Sequence, residues 1–358
     1  MKRLLINLSI IIYSLSFSSV AAQTDISKYR PGVTPEGAIY YLPKTAVRVT
    51  LLVEKTTFTP GDFALYSNRY LRIAAETEAQ TTFRVVNIKM HTIGVADTSK
   101  CFAVKFNAKT AASNIQLTDN GVLLAINASG KTQEEPISFV PARKPKKTNP
   151  RDYMNPEILA AGSKAKMAEL TAQDIYEIRE SRNLLSRGQA DNMPKDGEQL
   201  RLMFASMDAQ EQALTSMFTG TTEKDTIETT VTVSPDKELK KTVLFRLSQK
   251  LGIVDADDLS GVPYYISIEN LHTVPTPVVD PKAKPKIHEE GIYVNVPGKA
   301  HASVTRGAET LVEMDFPAGQ FGNVELLSGD LFNKRFTTQL TLSPVTGGIE
   351  KLKAEQPK

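Results

Sequence analysis

Apolar and polar side chains alternate over long stretches at both ends of the chain, and the period changes in the middle. Val47, Val49, Leu51 and Val53 alternate with Arg48, Thr50 and Glu54, and Phe102, Val104 and Phe106 repeat the period of two. That period puts one face of a strand on a core and the other in water. Ile115–Leu117 and Val122–Ile126 flank Asp119-Asn120-Gly121, a hairpin signal because Asn and Gly tolerate positive φ. From Gly37 to about Val140 the pattern therefore predicts short antiparallel strands in a sandwich or barrel-like sheet.

Between residues 155 and 218 the period lengthens to that of a helix. Ile175, Ile178 and Leu185 share one side of the first segment, whose start is read at Thr171-Ala172-Gln173-Asp174, a variant capping box. Asp196-Gly197-Glu198-Gln199 opens the second. Leu200, Met203, Phe204, Met207, Leu214, Met217 and Phe218 form its stripe, and Gly220 ends it. The connection Gly188–Lys195 is short, so the pair reads as an antiparallel hairpin. Its methionine-rich stripe either packs on a neighbouring element or serves as a partner groove.

Strand alternation returns near Thr221, with Ile227 to Val233, Val243 to Leu247, and Tyr264, Ile266 and Ile268. Val312, Met314 and Phe316 precede a turn at Pro317-Ala318-Gly319, after which Val324–Leu327 and Thr338–Leu342 complete the set. One echo links the two β stretches. Glu36-Gly37, Pro43 and Ala46 have the spacing of Glu290-Gly291, Pro297 and Ala300, and Gly61-Asp62-Phe63 resembles Gly319-Gln320-Phe321. The echo is either a repeat or a coincidence of strand-and-turn residues.

The expected fold class is α+β, mainly β, with two antiparallel β-sandwich-like domains separated by a helical hairpin. The division runs as follows: a signal peptide over 1–22, an N-terminal β domain over 23–140, a basic Pro-rich linker over 141–154, the helical hairpin over 155–220. A C-terminal β domain then covers 221–350 with a Pro-rich insertion at 274–288, and 351–358 is a frayed polar tail.

Composition narrows the function. Lys2 and Arg3, the mostly apolar run Leu4–Phe17 and the small residues Ser18–Ala22 have the layout of a secretory signal cleaved before Gln23. The run is shorter than the roughly 20 apolar residues of a membrane span. Export is thus expected, with no transmembrane segment in the mature chain. The formal net charge of +3 falls close to neutral once Lys2 and Arg3 are removed, which speaks against nucleic-acid binding. A single cysteine excludes an intramolecular disulfide, and Cys101, in a strand-like stretch, reads as a buried thiol or a reactive one. Pro141–Arg151 holds five basic residues and no acid, and is either a solvated spacer or a contact for an anionic lipid or polymer.

Phosphate-binding loops, a G-x-S-x-G elbow and an H-E-x-x-H pair are all missing from the sequence. Asp255–Gly261 carries calcium-type oxygen ligands. Its glycine falls one place later than an EF-hand loop needs, however, and the closing position is Ile266, so a turn is the alternative. His288-Glu289-Glu290 offers a base and carboxylates beside a Pro-rich stretch, while His91, His272 and His301 are isolated along the chain. Asn127-Ala128-Ser129 fits an N-glycosylation acceptor, relevant only in a host with the transferase. No catalytic, cofactor-binding or metal-ligating residue is assigned, no cofactor is expected, and the absence of these motifs favours a non-enzymatic role while leaving a dispersed site open.

Several segments together carry a family resemblance: Tyr41–Ala46, Asn149–Met154, Met167–Gln173, Phe218–Glu223 and Leu251–Gly261. They resemble an exported Bacteroidota family, domain of unknown function family 4831. The resemblance implies a periplasmic or outer-membrane-associated place in a Gram-negative envelope, and brings no reaction. In that setting Asp225-Thr226-Ile227 is similar to a short O-glycan attachment site, with a strand entry as the alternative. The leading functional expectation is a non-enzymatic structural or protein-interaction component with envelope proteins as partners. The alternatives are a glycan-binding accessory of polysaccharide handling, with Tyr40, Tyr41, Tyr264 and Tyr265 as candidate platforms, and a hydrolase with a dispersed carboxylate pair.

Overall fold

A computed structural model describes residues 25–29, 37–105, 114–144, 148–193, 196–276, 289–332 and 337–355. The expected signal peptide, His288, and most of the 274–288 insertion lie outside the described residues. The fold is α+β, mainly β.

In chain order, β1 (Asp25–Lys28) is followed by β2 (Ala38–Thr59), a 3-10 turn at Ala64–Tyr66, α1 (Ser67–Leu71) and β3 (Gln80–Lys105). Next come β4 (Ile115–Leu117), β5 (Leu123–Ile126), α2 (Pro156–Leu159), α3 (Lys164–Ser186) and α4 (Gly197–Thr219). The last group is β6 (Thr221–Val233), β7 (Leu239–Ser248), β8 (Gly252–Val254), β9 (Val262–Asn270), β10 (Glu289–Arg306), β11 (Glu309–Ser328), β12 (Thr337–Leu342) and β13 (Ile349–Glu355).

Two long hairpins, β2–β3 and β10–β11, form the frame. Strand order runs β6-β2-β3-β1-β10-β9-β7-β8, with β11 on β10, and β1 joins the hairpins by pairing with both β3 and β10. A four-stranded sheet, β13-β12-β5-β4, packs beside it. Pairing crosses the boundaries drawn along the sequence, since β6 lies on β2 and β12 lies on β5.

Three cores result. In the first, Val47, Val49, Leu51 and Val53 face Phe245, Tyr264, Ile266, Ala302 and Val304 of the other hairpin's sheet. The second joins Tyr40, Leu42 and Val104 to Ile292, Val294, Leu123, Leu340 and Leu342. Both β cores therefore take one wall from each half of the chain. The third is helical: Phe63 and Leu71 from the β2–β3 connection pack on Ile158, Ile175, Leu214 and Phe218. Each fully buried aliphatic or aromatic side chain contributes roughly 1.5–3 kcal/mol over its exposed state.

The hairpins share a device. Pairs Tyr41↔Cys101 and Pro43↔Ala96 leave Leu42 opposite Asp97–Lys100, and pairs Val296↔Asn323 and Gly298↔Ala318 leave Pro297 opposite Gly319–Gly322. One residue of the first strand thus faces four of the second in each. The Pro43/Pro297 part of the echo sits at these bulges, and Gly37 and Gly291 lie near the start of each first strand. Gly61–Phe63 is not equivalent to Gly319–Phe321: it turns the chain out of β2, whereas Gly319–Phe321 lies in the β11 bulge.

Several local expectations are corrected. Thr171 does not cap a helix. α3 starts about two turns earlier, where Ser163 accepts a bond from Lys166 N, and Thr171 is buried with its hydroxyl donating to Met167 O at 2.8 Å. Its apolar neighbours demand helix on both sides, so the hydroxyl bonds back along the helix. Pro317–Gly319 is not a turn but part of continuous β11, with Pro317 paired to Lys299. Residues 351–355 are not frayed: β13 pairs with β12 along its length, and its lysines and glutamates suit an exposed edge. The second helix does begin at Asp196, which accepts from Gln199 N, and ends at Gly220. There φ is +80°, and a Cβ would stand 2.5 Å from Thr59 O, so only glycine lets α4 run straight into β6 beside β2.

Candidate functional site

The outer face of β6–β2–β3 carries the polar half of the alternation. Pairing sets Arg48 between Thr232 and His91, Thr50 between Thr230 and Lys89, and Leu52 between Glu228 and Asn87. Across this face runs residues 129–144, a strap without regular secondary structure. Its prolines, Pro136 and Pro141, lack the N–H that a sheet ladder needs, so it is held by side chains instead.

Four latches hold it. Gln133 Oε1 accepts from Gly94 N at 2.9 Å while its Nε2 donates to Thr92 O at 3.3 Å, imitating a strand neighbour on the β3 edge. Arg48 Nη1 pairs with Glu135 at 2.5 Å. Phe139 N donates to Glu228 Oε2 at 2.7 Å, and Lys144 pairs with Asp225. Between strap and sheet lies a cavity of about 620 Å³, lined below by Arg48, Lys89 and His91 and above by Pro136, Ser138 and Phe139. Ile137 and Val140 themselves point away, 98% and 82% exposed.

His91 Nε2 is buried and has no hydrogen-bond partner among the described residues. Burial, and then the Arg48 guanidinium, lower its pKa below the ordinary imidazole value; Glu135 opposes this only in part. The ring is therefore neutral near pH 7, and it lines the cavity with its Nε2 buried. The arrangement can bind and orient a polar chain, since cationic, anionic, amide and hydroxyl groups converge with Leu52 and Phe139.

A second groove, of about 630 Å³, lies along α3 and is lined by Tyr70, Tyr176, Glu169, Gln173, Glu177 and Glu180. Tyr176 is 46% exposed, and its hydroxyl donates to Tyr70 O at 3.1 Å, which fixes the ring against α1.

The residues singled out from sequence are scattered. Asp255–Gly261 forms the turn between β8 and β9: Ser260 N donates to Asp258 Oδ1 at 2.8 Å, and Arg246 donates to Ala256 O and Gly261 O. The bonds from Ser260 lower the Asp258 pKa. Among the described residues, no group of three or more His, Cys, Asp or Glu side chains could hold a metal ion. His272 is exposed at a left-handed position, and His301 Nδ1 meets Asp315 at 2.6 Å on the outer side of β10–β11, so neither approaches His91. Glu289 and Glu290 lie at the start of β10.

Tyr40 is buried, its hydroxyl donating to Tyr293 O and accepting from Tyr293 N, while Tyr264 stacks on Phe245 with centroids 4.5 Å apart. Tyr41 and Tyr265 are half-buried, so each tyrosine pair follows strand alternation and lines neither groove. Cys101 is buried. Asn127 Nδ2 donates to Thr338 O at 3.1 Å, engaging the amide a glycan would need. Asp225-Thr226-Ile227 lies inside β6.

The expected N-terminal β domain took in residues 129–140 of the strap and the expected basic linker took 141–144, and neither Gln133 and Glu135 nor Tyr70 and Tyr176 stood out from the sequence. Pro136 and Pro141 bracketing a stretch of extended composition were the available signal for the strap. Nothing local marks Tyr70 and Tyr176, which meet only through packing of α1 on α3.

A family model described as Domain of unknown function (DUF4831) matches residues 36–350. No curated protein and no solved structure matches the chain.

Proposed function

Taking as premise that the chain belongs to the DUF4831 family, we propose that it is an exported, non-enzymatic component of a Gram-negative cell envelope that binds partner polypeptides in extended form. The observation that carries this reading is the strapped face of β6–β2–β3. It already holds a segment of its own chain by side-chain latches, over a cavity lined by polar groups. A surface built to hold one segment of chain has the chemistry to hold another: paired charges for register, amide and hydroxyl groups for backbone, and Leu52 and Phe139 for apolar contact. Export is supported by the basic, apolar and small-residue succession over residues 2–22. No described helix is long and apolar enough to cross a membrane.

The test is extraction of native envelopes in mild detergent with the protein tagged and cross-linked. A partner should be recovered whose cross-links map to 48–52, 87–91 or 133–139, and Lys89→Glu should lose it. Recovery of the chain alone, or its presence unprocessed in the cytosol, removes the reading.

A second reading, glycan binding, has one observation in its favour. The Tyr70–Tyr176 groove combines two rings with carboxylates and an amide, the groups that stack on and hydrogen-bond to sugars. Calorimetric titration with envelope oligosaccharides should show binding that Tyr176→Ala abolishes; no heat at millimolar ligand would end this reading.

A further inference from the structure

Helices α3 and α4 are each 23 residues, roughly 34 Å long at 1.5 Å per residue, but only one half of each meets the rest of the molecule. The first half of α3 and the last half of α4 supply Ala168, Ala172, Ile175, Leu214, Met217 and Phe218 to the helical core. Beyond them the hairpin continues as a two-helix arm. Among the described residues from Arg179 to Gln212 the only buried one is Leu185. Leu200, Met203, Phe204 and Met207 recur at helical spacing, yet are only half-buried and belong to none of the three cores. Leu202 is 57% exposed.

Two helices bury at most one side of each stripe, and an apolar seam of this length is ordinarily closed by further helices. We infer that the distal half of the α3–α4 hairpin is a homodimerisation arm, closed into a four-helix bundle by the same arm of a second copy. The inference is independent of the strapped groove.

Charge selects this occupant. The distal part of α3 carries Arg179, Arg182 and Arg187 against Glu180, while α4 with its cap carries Asp196, Glu198, Asp208 and Glu211 against Arg201. One helix is therefore net basic and the other net acidic. Within one hairpin this polarity is already in use: Arg179 meets Glu211 at 2.6 Å, and Arg182 meets Asp208 at 3.0 Å as well as Glu211. Asp208, 62% exposed, and the exposed Arg187 remain open to a neighbour. A two-fold arrangement with α3 of one copy against α4 of the other repeats the same basic-to-acidic match, and this is the one we infer. An acidic or a basic partner would match only one of the two helices.

Sedimentation velocity on the purified protein tests this, over concentrations from about 1 to about 100 μM, since mass action must shift a real dimer. A monomer–dimer equilibrium is expected, weakened by added salt. It should be weakened at least about tenfold by the double variant Phe204→Ser with Met207→Ser, and measurably by Arg187→Glu. Arg187 is an exposed helix end, so its variant keeps the fold if the apolar double variant does not. Hydrogen exchange supplies a reading free of mutation: amides of residues 200–207 should gain protection as concentration rises. A monomer throughout the range with concentration-independent exchange overturns the inference. So does a dimer indifferent to both variants, or an arm protected only when a different envelope protein is added.

Discussion

Hairpins β2–β3 and β10–β11 carry the same four-against-one bulge, and differ at their tips and on their outer faces. β10–β11 turns tightly through Gly307-Ala308, and its outer face bears the His301–Asp315 pair. At the tip of β2–β3, residues 60–79 open into a 3-10 turn and α1, whose Phe63 and Leu71 enter the helical core, and its outer face lies under the strap. The plain hairpin is frame. The elaborated one holds the groove, anchors the helices and through them the arm. One β unit can acquire function by additions at its tip and face, while its twin keeps the core closed.

The two units are locked where they cross. Asn295, buried, donates to Pro43 O at 2.9 Å and Thr346 O at 2.7 Å; Gln320 accepts from Thr45 N at 2.8 Å and donates to Thr45 O at 2.7 Å. The Gln320 amide thus pairs with the β2 backbone as a neighbouring strand would.

The contrast between the tips can be broken most severely at Phe218, fully buried with its ring 5.4 Å from that of Phe63. Phe218→Ala should cost about 3–5 kcal/mol in urea unfolding. Hydrogen exchange should show protection lost over 164–219 and 63–71 before it is lost in β10–β11; equal loss in both hairpins would mean the helical core is not a separate dependency of β2–β3. Next in size is the crossing. Asn295→Ala should cost about 1–3 kcal/mol, because it leaves Pro43 O and Thr346 O unpaired in the interior, and both hairpins should be affected alike.

A smaller change sharpens the difference between the outer faces. Glu135→Ala removes an exposed ion pair worth up to about 1 kcal/mol, so global stability should barely change. Limited proteolysis within 130–144 should nonetheless quicken severalfold, with no new cleavage in β10–β11. Unchanged cleavage would show that Gln133 and Glu228 hold the strap without Glu135.

The smallest effect is one of pH. The His91 pKa is lowered in the folded protein, so the unfolded chain takes up the proton first as pH falls. Its contribution to stability is present above the free imidazole value of about 6.5, and is lost as pH drops through the folded value. Thermal unfolding from pH 7.5 to pH 5 should fall more steeply for the wild type than for His91→Gln; parallel curves would place the ring in water.

Much of the frame was legible locally. Val47 to Val53 face inward as their period requires, Asp196 and Gly220 bound α4, and the 43/297 echo marks the two bulges. The echo does not give their register. The bulge faces Leu42 in β2 but Pro297 in β10, one place further on, and above it the inward residues are odd-numbered in β2 and even-numbered in β10. A one-residue slip exchanges the two faces of a strand, and only packing shows which face won. The groove was harder still to foresee, because Gln133 and Glu135 act on β3 and β2 through contacts across 41 and 87 residues of chain.

Periodicity decided on its own the type of most elements and which side of each is apolar, because those depend on neighbours within a few residues, while the start of α3, the course of β11 through Pro317 and the pairing of β13 were settled by contacts. Which apolar sides meet was decided by packing. Each β core takes one wall from each half of the chain, since an apolar face specifies that it must be covered and carries no address for what covers it.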